Sequence, residues 1–94
     1  MIKQKPFRSR AYLNYVKSLD SVISGQPADD PHHIIGTKLS GMGTKVSDLW
    51  TFPLTRTEHN ELHADYKAWE ERYGSQVMFA LQTIEKAVAE GILR

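Results

Sequence analysis

The four histidines of this chain fall into two pairs. His32 and His33 are adjacent, whereas His59 and His63 have the i, i+4 spacing that places two side chains on one side of a helix, one turn apart. Imidazole binds divalent metal ions, and it is the side chain whose unperturbed pKa lies nearest neutrality. If the pairs converge, they can hold a metal ion and leave one imidazole free as a base, which indicates a hydrolytic site.

The residues around the two pairs predict a β-hairpin followed by a helix. The β-branched run after the first pair predicts a strand over 32–36, and a glycine-rich loop follows over 37–45. Alternating apolar residues predict a half-buried strand over 48–54, whose Pro53 suits a sheet edge. A capping threonine at 55 or 57 then predicts a helix that runs to about residue 66 and carries the second pair.

The remaining segments predict helices that pack against this unit. Residues 1–9 form a basic arm that we expect to be extended or mobile, residues 10–19 a short helix, and residues 21–27 a short strand and turn. A helical stretch over 67–73 precedes the last helix, over about 75–90. The apolar stripe of this last helix that we expect to enter the core consists of Val77, Leu81, Ile84 and Val88.

Length and composition narrow the class of protein. Ninety-four residues are enough for one domain, so we expect a single domain over 1–94. The absence of cysteine excludes disulfides and a cysteine-based structural zinc site. The first residues lack the apolar core of a signal peptide, and no apolar run approaches membrane-spanning length. We therefore expect a soluble, cytoplasmic protein with no membrane partner.

Charge is unevenly distributed although the net charge is only +1. Five basic residues and no acid precede Asp20, whereas seven acids face four bases from Glu58 to the end. This asymmetry predicts one face suited to a polyanion, with Lys38, Lys45 and Arg56 as candidate phosphate contacts. Ordinary surface charge explains the same three residues equally well.

The order of these motifs resembles a known family. A His-His-Ile strand, an Asp-Leu about fifteen residues later and a helical histidine pair are similar to the HNH (ββα-metal) endonucleases, including the nuclease colicins. The longer string Pro-His-His-Ile, Gly-Met-Gly-Thr-Lys and Glu-Leu-His resembles the HNH domain of phage and prophage nucleases of the RecA-dependent Ref type. The resemblance covers roughly residues 10–94 and implies an α+β fold: a small ββα-metal finger packed by additional N- and C-terminal helices.

The resemblance also implies a role for each motif residue. It implies that His33 is the general base and that His32, His59 and His63 bind one divalent metal ion. Asp48 stands where the motif's name expects asparagine, the residue that holds the loop and helps to orient the base. In many HNH domains Cys-x-x-Cys pairs bind a structural zinc ion. In this chain Ser21 and Ser24 occupy one pair of positions, and Thr55 and Glu58 the other, so no such zinc is expected.

These roles predict a metal-dependent DNA endonuclease. A neutral His33 would take a proton from water, and a divalent ion (Mg²⁺, Mn²⁺ or Zn²⁺) would stabilise charge on the phosphate. An all-imidazole site favours Zn²⁺, Ni²⁺ or Mn²⁺ over Mg²⁺. The Ref-type resemblance implies phage recombination or RecA-dependent DNA processing in a bacterial or phage-infected cell, although the sequence leaves RecA dependence open. Two alternatives stay open: a non-catalytic, metal-stabilised module that binds DNA or the RecA filament, and a hydrolase of another phosphoester.

Overall fold

A computed structural model describes residues 7–36 and 46–93 of the chain. Its elements, in chain order, are α1 (Arg10–Lys17), β1 (Asp30–His33), β2 (Thr51–Leu54), α2 (Arg56–Ala64), α3 (Tyr66–Tyr73) and α4 (Gln76–Ala89). Over those residues the protein has a small α+β fold with four helices and a two-stranded antiparallel sheet, which confirms the predicted class. The predicted glycine-rich loop, with Lys38 and Lys45, and the first six residues of the predicted arm lie outside the described residues.

The two strands pair in a register that places both prolines opposite each other, Pro31 with Pro53. The N–H of Ile34 donates to the carbonyl of Trp50 at 3.0 Å. Hydrogen-bonded and non-hydrogen-bonded pairs alternate along an antiparallel ladder, so the proline pair falls at a non-hydrogen-bonded position. Neither missing N–H is needed between the strands there, which explains how a four-residue strand tolerates a proline in each partner.

Both strands differ from their predicted bounds. β1 begins at Asp30, two residues before the predicted start, and ends at His33, while β2 covers only the last four residues of the predicted 48–54 strand. All four residues of β2 are buried, so the prediction of a half-buried strand is wrong. The reason is that α1 and α4 both pack against β2, which leaves neither face in water.

The helix that carries the second histidine pair begins with a complete capping box. The Thr55 hydroxyl accepts a hydrogen bond from the N–H of Glu58, and the Glu58 carboxylate accepts one from the N–H of Thr55 at 2.9 Å. The Ser21 hydroxyl also donates to Glu58, at 2.6 Å. These contacts fix the start of α2 against the 20–27 segment. Asp65 ends α2 and caps α3, so the two predicted helical stretches are separate helices.

The segment after α1 does not contain the short strand predicted within residues 21–27. It forms a tight turn in which the Ser21 N–H donates to the carbonyl of Gln26 at 2.7 Å and the Ser21 hydroxyl accepts from the N–H of Ile23 at 3.1 Å. A single bridge between Asp20 and Pro27 closes the turn. Hydrogen bonds from a serine to nearby backbone compete with strand pairing, which accounts for the difference.

The buried face of α4 is not the predicted apolar stripe. Its buried residues are Gln76, Ala80, Thr83 and Ala87. Leu81 is 36% exposed and Val88 is 55% exposed, so their predicted place in the core is wrong. Small side chains let a helix approach its neighbours closely, and Ala87 packs directly on Tyr12 and Val16 of α1.

The main core lies between the hairpin, α2, α3 and α4. Its fully buried members include Ile34, Phe52, Leu54 and Leu62, with Trp69 and Ala80 closing it. Within the two stretches that the structure describes, no helix combines the length and the apolar character needed to cross a bilayer.

Candidate metal centre and adjacent base

Three of the four histidines converge between the hairpin and α2. His32 lies on β1, and His59 and His63 lie one turn apart on α2, as the i, i+4 spacing predicts. One ring nitrogen from each comes within 4.8 Å of the other two. The ring centroids are 4.7 to 5.3 Å apart, so all three rings share one small space.

This cluster fits a divalent metal ion. Three imidazole nitrogens bound at 2.0–2.1 Å in a tetrahedral arrangement lie about 3.4 Å apart, so modest side-chain rotations bring the three rings into range. His32 is fully buried, and its Nδ1 has no hydrogen-bond partner among the residues that the structure describes. An orphaned lone pair in the interior is costly unless something binds it, and a metal ion would do so. Imidazole ligands suit Zn²⁺ or Mn²⁺ better than Mg²⁺, which prefers oxygen.

Burial favours the neutral form of two members of the cluster, His32 and His63. Burial lowers the pKa of His32 to about 4. The hydrogen bond that His32 donates to Gln76 raises this pKa, and the nearby His59, His63 and His33 lower it. Burial, together with His59, also lowers the pKa of His63. Neutral rings keep the lone pairs that metal binding requires.

Asp30 orients one member of the cluster. Its carboxylate accepts a hydrogen bond from Nδ1 of His59 at 3.0 Å, which leaves Nε2 of that ring with the lone pair. Arg56 makes a two-pronged ion pair with the same carboxylate, at 2.7 and 2.9 Å. Hydrogen bonds from Arg56 first, and then from His59, lower the pKa of Asp30 to about 2 in spite of partial burial.

The predicted phosphate contacts have different outcomes. Arg56 lies beside the three-histidine cluster with its side chain 66% exposed, but its guanidinium pairs with Asp30. Its contact with phosphate stays a prediction. Lys38 and Lys45 belong to the stretch that the structure does not describe, so their placement is untested.

His33, the predicted base, points away from the cluster and pairs with Asp48. Side chains of consecutive strand residues project to opposite faces, so His33 leaves the space that His32 enters. Its Nε2 lies 2.8 Å from Oδ1 of Asp48. A carboxylate only accepts, so Nε2 carries the proton in this contact, and in the neutral form of the ring Nδ1 carries the lone pair. Over residues 7–36 and 46–93 this Nδ1 has no hydrogen-bond partner, and the side chain is 37% exposed.

Asp48 is itself held by the end of the N-terminal arm. The Ser9 N–H donates to Oδ2 at 2.9 Å, and Arg8 Nη1 donates to Oδ1 at 3.0 Å. Burial works against the ionised form, but the hydrogen bonds from His33, Ser9 and Arg8 outweigh it and lower the pKa of Asp48. Residues 7–9 are therefore bound to the domain and are not extended away from it, as the predicted mobile arm would require.

The sequence did not predict that Asp30, Arg8 and Gln76 hold residues of the candidate site in place. Asp30 had a usable signal, because residues two apart on a strand share a face and Asp30 stands two before His32. Arg8 sits in a charged stretch with no pattern that marks it. Gln76 lies 44 residues from His32, and no local spacing links the two.

Comparison with known proteins places the chain in a family. Residues 1–91 match the family model described as "Protein of unknown function (DUF968)". The chain belongs to the DUF968 family. It is 45% identical over 91 residues to the uncharacterized protein YdfU of Escherichia coli strain K12, a match that covers 97% of this chain. The chain spans only 26% of the length of that relative. No solved structure matches it significantly.

Proposed function

We propose that this DUF968 domain is a metal-dependent endonuclease of the HNH type that hydrolyses DNA phosphodiester bonds. The observation that carries the proposal is the hydrogen bond between His33 and Asp48. His33 directly follows His32, which belongs to the three-histidine cluster. A cluster with a purely structural role needs no such neighbour. The resemblance in the order of the motifs supports the same activity.

The chain's own residues supply a base and its orientation. Asp48 fixes the His33 ring through Nε2–H, so that Nδ1 is the atom available to take a proton from water. As that proton moves to Nδ1, the water oxygen forms a bond to phosphorus, the bond to the 3′ oxygen breaks, and the leaving oxygen takes up a proton from solvent. The products are 5′-phosphate and 3′-hydroxyl ends. Positioned proton transfer of this kind contributes about 10²–10⁴ in rate.

His32, His59 and His63 would hold the divalent ion. The ion's contribution, when bound, is to stabilise negative charge as it develops on the phosphate and on the leaving oxygen. All three proposed ligands are neutral, so they would leave the full positive charge of the site directed at the phosphate. Of the three predicted phosphate contacts, Arg56 is the one that lies within the described residues, on the first turn of α2, where it pairs with Asp30.

A plasmid-nicking assay tests the proposal. Wild type, His33→Ala and His59→Ala are incubated with supercoiled plasmid in Mg²⁺, Mn²⁺ or Zn²⁺, and Gln82→Ala, an exposed change on α4, serves as the matched control. We expect cleavage by wild type and control, with about a 10²-fold or greater loss for His33→Ala. A parallel set with a RecA filament on the DNA tests the expected phage recombination role.

The outcomes separate the alternatives. If wild type and the variants bind DNA but none of them cleaves it, the non-catalytic binding module is favoured. Cleavage of a small phosphodiester but not of DNA would favour a hydrolase of another phosphoester. Equal cleavage by wild type and His33→Ala would remove His33 from the mechanism.

A further inference from the structure

Gln76, the first residue of α4, is fully buried against the three-histidine cluster. Glutamine is mostly found exposed, because burying an amide without partners is unfavourable. Here the amide has partners on both sides. Its Nε2 donates to the carbonyl of Ile35 and its Oε1 accepts the N–H of the same residue, each at 3.0 Å.

These two bonds settle which way the amide faces. Only the oxygen can accept the Ile35 N–H, and only the nitrogen can donate to the Ile35 carbonyl. The same Oε1 lies 2.9 Å from Nε2 of His32. An amide oxygen cannot donate, so Nε2 of His32 must carry the proton in this contact. In the neutral ring the lone pair then sits on Nδ1, the buried nitrogen that has no partner.

We propose that Gln76 is a positioning residue for the metal centre: its amide oxygen fixes His32 in the Nε2–H tautomer and thereby presents Nδ1 to the ion. The metal half of this inference rests on the proposed function, whereas the tautomer half concerns the metal-free chain. The backbone of Gln76 is fixed too, because its N–H donates to the Glu70 carboxylate at 2.8 Å. The C-terminal helix therefore contributes to the site without supplying a ligand.

A purely structural role for Gln76 would explain its two hydrogen bonds to Ile35, but it would not require that an oxygen face His32. The two roles differ in what a substitution changes. If the hydrogen bonds to Ile35 are all that matters, their loss lowers the melting temperature and leaves the His32 tautomer unchanged. Loss of the positioning contact also changes the distribution of the ring proton and weakens metal binding. Partners of this kind typically change metal affinity by about 10–100-fold.

Imidazole ¹⁵N NMR of the metal-free protein and calorimetric titration with Zn²⁺ test the inference. The variants are Gln76→Met, which keeps the shape and removes the acceptor, and Gln76→Glu, which keeps an oxygen against the ring. Thr83→Val is the control, because Thr83 is buried on the same face of α4 and its hydroxyl donates to the carbonyl of Phe79, away from the histidines.

We expect a single Nε2–H tautomer at His32 in wild type, in Gln76→Glu and in the control. Gln76→Met should mix the tautomers and raise the Kd for Zn²⁺ by about 10–100-fold. An Nδ1–H ring in wild type would overturn the inference, and this measurement needs no variant to fold. Unchanged tautomer and Zn²⁺ affinity in Gln76→Met would overturn it as well, as would a wild-type chain that binds no Zn²⁺. If Zn²⁺ binds as expected but no DNA is cut, the nuclease proposal fails and this inference stands.

Discussion

Replacing Asp48 with asparagine separates the two tasks of its carboxylate. Oδ1 accepts from His33 and from Arg8, whereas among residues 7–36 and 46–93 Oδ2 accepts only from the Ser9 N–H. An asparagine has one oxygen. The orientation that breaks the fewest hydrogen bonds places this oxygen against His33 and Arg8. It turns the amide nitrogen towards the Ser9 N–H, where two donors then face each other. Asparagine should therefore keep the base oriented at the expense of the N-terminal anchor.

The expected loss of stability in Asp48→Asn follows from one lost hydrogen bond to a charged acceptor, which contributes about 1.5–3 kcal/mol. For a chain of this length, each kcal/mol shifts Tm by about 4–8 °C, so Asp48→Asn should lower Tm by roughly 6–24 °C. Asp48→Ala removes the acceptor of all three hydrogen bonds and should be less stable still.

Thermal melts by circular dichroism give the Tm values, and plasmid nicking below every Tm gives the activities. We expect Asp48→Asn to retain a large part of the activity that Asp48→Ala loses, since only asparagine can hold Nε2–H of His33. A Tm for Asp48→Asn equal to that of wild type would refute the assignment of the two oxygens. Equal activity of the asparagine and alanine variants would refute the orienting role.

Three further substitutions test the core, the helix start and the metal site. Leu62→Ala empties a fully buried position and should lower the free energy of unfolding by about 2–5 kcal/mol in urea, against little change for an exposed Leu81→Ala control. Burial opposes ionisation of Glu58, but a serine hydroxyl and the backbone at the start of α2 outweigh it and lower its pKa. Its contribution is therefore present above the unfolded pKa and is lost as pH falls through the folded one, so the Tm of Glu58→Gln should approach that of wild type as the solution is acidified, and a constant Tm difference would contradict this. Asp30→Ala removes the acceptor from His59 and should weaken Zn²⁺ binding by about 10–100-fold in a titration, whereas an unchanged Kd would mean that the ring orients itself.

The sequence predicted the parts of this molecule that depend on local spacing. The i, i+4 pair brought His59 and His63 together because helix geometry alone determines it. The capping box at Thr55 has the same local origin. Each of these elements is specified within a few residues.

The parts that the sequence did not predict depend on contacts between distant segments. Val88 is a better core residue than Thr83 by hydropathy, yet Thr83 is buried because α4 approaches its neighbours through its small side chains. Gln76 contacts His32 across 44 residues, and Arg8 reaches Asp48 across 40. No periodicity within one element encodes which element packs against it.

The paired prolines have a consequence for how the hairpin meets other molecules. At a non-hydrogen-bonded position the backbone groups of both residues point outward, away from the partner strand. Pro53 offers only a carbonyl there, which the Val22 N–H already occupies at 3.2 Å, and Pro31 has no N–H to offer. A strand from another molecule that paired with either edge of the sheet would lack one N–H donor at the proline. This small sheet therefore resists strand addition and self-association into fibrils.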